Sequence, residues 1–260
     1  MSRTAVHDIS RPRLWRAVLL WIVVWAVCGL AAPIVQDATG LSTDVLALVM
    51  LAPALASAVV WLAVRRDLPA PWPPVATRAI VWPTVLALVW IAVFTAGLVA
   101  AGFSFGSGIG VAGVPLAVVL VAQAVGALGE EIGWRGTLQH LAESRMSRWV
   151  AALLLGAVFG ATHVGYWSEG PLFVAGFSLS TALMGLAMVL IARGSFAQRM
   201  IPATLIHLGL NLVTADAGGF DDPWLLIAPA AAATAVVLIA TRMTNYDPAR
   251  IPRPASVPTE

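Results

Sequence analysis

Charge is what this sequence has least of. Only 11% of its 260 residues are charged, against about 25% in a soluble domain, and 60% are hydrophobic. A mean hydropathy of +0.88 excludes an ordinary soluble enzyme. Lysine is absent, and all fifteen basic residues are arginine. They form no clustered basic face with aromatic interleaving, so the net charge of +2 is no nucleic-acid patch. The one cysteine, Cys28, cannot close an internal disulfide and says nothing of redox compartment. No Walker-type glycine loop or dinucleotide fingerprint is present, nor H-E-x-x-H, G-x-S-x-G or a paired cysteine. The familiar nucleotide-binding, zinc-protease and nucleophile signatures are thereby excluded.

What is present is a series of apolar runs: Leu14–Val35, Val45–Val64, Ala79–Ala101, Gly113–Leu128 continuing to Leu141, Trp149–His163, Leu172–Ala192, Ile201–Thr214 and Trp224–Thr241. Most approach the ~20 residues that cross a bilayer. They predict an all-α polytopic membrane protein of about eight transmembrane helices. The first run is too long for a signal-peptide core and is kept as a helix. The arginines orient the chain. Fourteen of them fall before or at the start of the first run, after the last, or in alternate loops, while Asp37, Asp44, Glu169, Asp216, Asp221 and Asp222 occupy the opposite loops. Cationic loops stay in the cytoplasm, so both termini are expected there, in the inner (plasma) membrane. Residues 1–13 form a cytoplasmic N-terminal segment, 14–241 a single transmembrane domain, and 242–260 a Pro-rich cytoplasmic tail. Trp21, Trp134 and other tryptophans near run ends read as interfacial aromatics.

Arg135 is the arginine outside that scheme. It follows Glu130 and Glu131 inside the fourth run, where ionised groups cost several kcal/mol and mark function by default. Residues four apart share a helix face, so Glu131 and Arg135 can pair. Glu130, rotated by about 100°, has no such local partner. Phe159 and His163 share a face of the fifth run, as do His207 and Asn211 in the seventh, where Pro202 suits the first helical turn. The rise per residue puts Glu130 about 16 Å, His163 about 22 Å, His207 about 12 Å and Asn211 about 18 Å above the cytoplasmic edge. Four polar residues from three helices thus share one layer. A carboxylate can activate water and a neighbouring donor can stabilise an oxyanion, which together suit hydrolysis of a carbonyl group. Two histidines and a carboxylate also make a catalytic zinc set. The competing readings are a non-catalytic membrane scaffold, such as an immunity-type or regulatory protein, and a proton-coupled transporter. No inverted halves of the kind transporters use are visible.

Glu130-Glu131-x-x-x-Arg135, Phe159-x-x-x-His163 and His207-x-x-x-Asn211, in this order, resemble the CPBP (Abi) family. This group of intramembrane proteases includes the type II CAAX prenyl endopeptidases and bacteriocin-processing proteins. The motif-bearing core is 113–214. The resemblance implies an intramembrane endopeptidase acting on a membrane protein or peptide, from a cavity open toward the cytoplasm. In it Glu130 activates water, assisted by His163, while His207 and Asn211 complete the site. Glu131, Arg135 and Phe159 are structural support. Either one divalent metal, zinc by preference, is held by Glu130, His163 and His207, or the glutamate works without metal. An all-arginine, alanine-rich composition is that of a high-GC bacterium, so the prenylated substrate is not carried over.

Overall fold

The computed structural model describes residues 10–106 and 108–244. His7 and the Pro-rich tail beyond Asp247 lie outside the described residues. Among those described there is no strand. The long helices are α1 (Arg11–Thr39), α2 (Ala52–Val64) and α3 (Val81–Ala100). Next, α4 (Leu116–Glu131) runs through a π-helical stretch, Ile132–Leu138, into the short α5 (Gln139–Glu143). The rest are α6 (Arg148–Ala161), α7 (Pro171–Ile191), α8 (Phe196–Asp216) and α9 (Ile227–Met243). Every predicted apolar run is helical, and six helices are long and apolar enough to cross a membrane. The fifth and seventh runs are not among those six. Helix α6 has 14 residues. Helix α8 has 21 but interrupts its apolar sequence with Gln198, Arg199, His207 and Asn211. Helix α6 falls short in length alone, whereas in α8 the polar residues, His207 and Asn211 among them, weaken the hydropathy.

Sequence-distant ends meet where the charge pattern groups them. Arg13 and Arg16 of α1 approach Asp67, beyond α2, at 3.4 and 3.7 Å. Trp72 stacks edge-on against His140 at 4.2 Å and lies under Arg199 at 4.1 Å. The acidic ends gather elsewhere: Gln123 donates to the Asp44 carbonyl, and the Gly108 N–H donates to Asp216.

Small residues set the centre of the bundle. Helix α7 is the most buried span, with 72% of its apolar window enclosed, against 11% for α1. It packs closely on α6 because a Cβ on Gly156 would come within 2.6 Å of the Thr181 carbonyl oxygen. Thr181 Oγ1 donates to the Gly156 carbonyl at 2.8 Å in the space so created. Such small-residue contacts let membrane helices approach backbone to backbone.

Two sequence readings are corrected by the packing. Pro202 lies inside α8, not in its first turn. A capping box of Ser195 and Gln198 starts the helix earlier, with the Ser195 N–H donating to Gln198 Oε1 at 2.9 Å. Trp21 and Trp134 are not interfacial: they are 1% and 3% exposed and meet edge-on at 5.3 Å. The indole N–H of Trp21 is satisfied by Ser57 at 3.0 Å, which lets the ring leave the interface for the core.

Candidate active site

The fourth helix changes pitch just after its carboxylate pair. After Glu131 the backbone widens into the π stretch, in which Thr137 Oγ1 donates to the Ile132 carbonyl five residues back at 3.2 Å. Close contacts fit this segment to its neighbours: Gly133 rests on Pro53 of α2 and Gly136 on the Phe196 ring of α8. Single π turns inside α-helices recur at functional sites. Here the π turn follows the carboxylate pair and contains Arg135.

Glu131 has no exposed surface and Arg135 is 7% exposed. Arg135 Nε lies 3.4 Å from Glu131 Oε2, and its guanidinium sits 4.9 Å from the Phe159 ring centroid. The other oxygen, Glu131 Oε1, lies 2.7 Å from Nδ1 of His207, which comes from α8. A carboxylate paired with arginine accepts, so His207 carries its hydrogen on Nδ1 and turns Nε2 outward. Nε2 faces Glu130 Oε2 at 3.5 Å, and the Glu130 side chain keeps 14% of its surface exposed. His207 therefore stands between the two glutamates, one dry and one open.

Phe159 is the wedge of the cluster. Its ring meets His207 edge-on at 5.6 Å, His163 at 4.8 Å and Trp134 at 5.5 Å. His163 lies beyond the end of α6, which stops at Ala161. It is held there because its Nδ1 donates to the Phe159 carbonyl at 2.9 Å. That bond leaves Nε2 of the neutral ring as an acceptor. Asn211 lies one turn beyond His207 on the same helix and is partly buried.

Two contributors escaped the sequence reading. Tyr166 stacks on His163 at 5.7 Å with ring planes 10° apart, and Phe177 closes on His163 edge-on at 4.9 Å. The signal for Tyr166 was its place three residues after His163 in a chain with two tyrosines. Phe177 had none, since an aromatic in an apolar run reads as lipid-facing.

Among the described residues no three His, Cys, Asp or Glu side chains are grouped closely enough to hold a metal. Both ring nitrogens of His207 face carboxylates, and His163 Nδ1 is taken by a backbone carbonyl. Glu130, His163 and His207 do not form such a group among the described residues.

Residues 111–213 match the family model described as type II CAAX prenyl endopeptidase Rce1-like. By that match the core of the chain is CAAX-protease-like. The Rce1-like segment covers under half of the chain, but it includes every candidate site residue, from Glu130 to Asn211. No curated protein matches the chain.

Proposed function

We propose that this multi-pass membrane protein is an endopeptidase that hydrolyses a peptide bond of a membrane-associated protein or peptide with a water activated by Glu130. The arginine-bearing ends of its helices face the cytoplasm, and the host bilayer is the inner (plasma) membrane. The observation that carries the reading is the position of His207, with Nδ1 on the dry Glu131 and Nε2 toward the open Glu130. A carboxylate buried without exposure is retained when it is paired, and here the pairing fixes the tautomer of a catalytic imidazole.

The reaction follows from those positions. Glu130 accepts a proton from water as the oxygen adds to the scissile carbonyl carbon. The oxyanion that forms is stabilised by the amide N–H of Asn211, a suitable donor for developing charge. His163 Nε2 orients the water as an acceptor, and Tyr166 holds that ring in place by stacking. The carbon–nitrogen bond then breaks and the leaving amine takes the proton from Glu130. His207 Nε2 faces the glutamate while it is protonated, and the Glu131–Arg135 pair offsets any charge gained by the imidazole.

The test compares protein termini in native membranes from cells carrying the parent chain with those from cells carrying Glu130→Gln, at matched expression. Termini present only with the parent establish the protease and identify its cut site. Identical termini, with any phenotype surviving the substitution, overturn the reading in favour of a scaffold or immunity-type role.

A further inference from the structure

The two flanks of α1 differ. On one, Arg13 and Arg16 are drawn to Asp67. On the other, Arg11 turns to a groove of about 660 Å³ that runs between α1 and α6, with Arg145 of the α5–α6 connection lining the same space. The walls below the two arginines are apolar, from Trp15 and Trp25 of α1 to Leu155 of α6, and Leu138 of the π stretch forms part of the floor. Trp15 is 59% exposed, in the position of an interfacial aromatic above a hydrocarbon trough.

We propose that this groove is a binding site for one anionic phospholipid. Its phosphate lies between Arg11 and Arg145, and an acyl chain lies along the trough. Charge and size both select this occupant. Basic pockets between membrane helices on the cytoplasmic side recognise anionic headgroups, and a guanidinium matches phosphate geometry. A cavity of this volume falls in the range of about 300–1,000 Å³ that holds a single small molecule. The site reaches Trp134, whose ring bears on Phe159 at 5.5 Å, so an occupied trough supports the π stretch from its lipid side.

The experiment uses the full-length protein in detergent, titrated with phosphatidylglycerol or phosphatidylcholine and read by native mass spectrometry. The parent is expected to retain one phosphatidylglycerol and to release phosphatidylcholine. In Arg11→Gln with Arg145→Gln the retention weakens about thirtyfold, whereas Arg13→Gln with Arg16→Gln leaves it unchanged. Equal retention of both lipids by the parent, or undiminished retention by the Arg11/Arg145 variant, overturns the proposal. A second measurement needs no variant: phosphatidylglycerol with a photoreactive group in its acyl chain is activated on the parent protein. Adducts on Trp15, Trp25 or Leu155 support the site, and adducts confined to other helices overturn it. Neither readout depends on peptide cleavage, so the lipid site and the protease reading fail separately.

Discussion

On one side of the His207 ring a glutamate has no solvent, an arginine at 3.4 Å and an imidazole nitrogen at 2.7 Å. On the other, the adjacent glutamate keeps 14% of its side chain exposed and faces the second nitrogen at 3.5 Å. The two residues are chemically identical and next to each other in sequence, so environment alone separates them. A carboxylate with no water survives as an anion by being paired, and that commits Glu131 to holding the ring. A carboxylate with an open face can exchange a proton with a bound water, which is the role proposed for Glu130. The contrast is one of position on a helix, since a rotation of about 100° moves the side chain from the interior face to the open one.

Removing the open carboxylate is the largest expected effect. Glu130→Gln keeps the shape and removes the base, so cleavage should fall at least 10²–10⁴-fold, the typical worth of general-base catalysis. The yield of folded protein should not change. A variant that cleaves at the parental rate would falsify the division between the two sides.

Disturbing the dry side should do the reverse, lowering stability first. Arg135→Ala leaves Glu131 buried without its cation, which costs about 3–5 kcal/mol, read as a lower midpoint of thermal unfolding in detergent. Adding Glu131→Gln to that variant removes the orphaned charge and should restore part of the loss. A double variant no more stable than Arg135→Ala would show that the guanidinium acts through the Phe159 ring rather than through the pair.

A gentler probe reaches the same side from α7. A Cβ on Gly185 would lie 3.0 Å from the Ala152 carbonyl oxygen and 3.5 Å from Arg135 Nη2. Gly185→Ala should therefore cost about 1–3 kcal/mol by overpacking, with KM for any cleaved peptide nearly unchanged. A large change in KM at parental stability would place Gly185 on the open side instead.

The parts of this arrangement that were legible in the sequence are those fixed by one helix. The i, i+4 spacings of Glu131 with Arg135 and of His207 with Asn211 follow from helix pitch, whereas His163, read as sharing a helix face with Phe159, lies past the end of α6. Rare polar residues in apolar runs stood out by their cost. What depends on two helices was not legible. The register of α8 against α4 brings His207 Nδ1 to Glu131, and no spacing within either helix encodes it. The π stretch was hidden for the same reason, because Pro53 and Phe196, which fit Gly133 and Gly136, lie far off in sequence. Hydropathy could not tell Trp134 in the core from a tryptophan at the interface, since both are apolar rings near a run end. The start of α8 was misjudged because its first turn is polar, although the Ser195–Gln198 box marks it.

The smallest expected effect tests where the comparison ends. His140 lies on the same continuous helix as the glutamates, beyond the π stretch, yet its ring rests on Trp72 at 4.2 Å with Arg199 over the other part of that indole. No carboxylate of the site faces it, and the connection before α3 covers it. His140→Ala should leave cleavage unaltered and shift stability by about 0.5 kcal/mol or less, the usual scale for a residue outside the core and the site. Loss of cleavage at parental stability would mean that the arginine-bearing end of the bundle takes part in the reaction. The boundary between the dry and open sides would then run along the helix axis rather than around it.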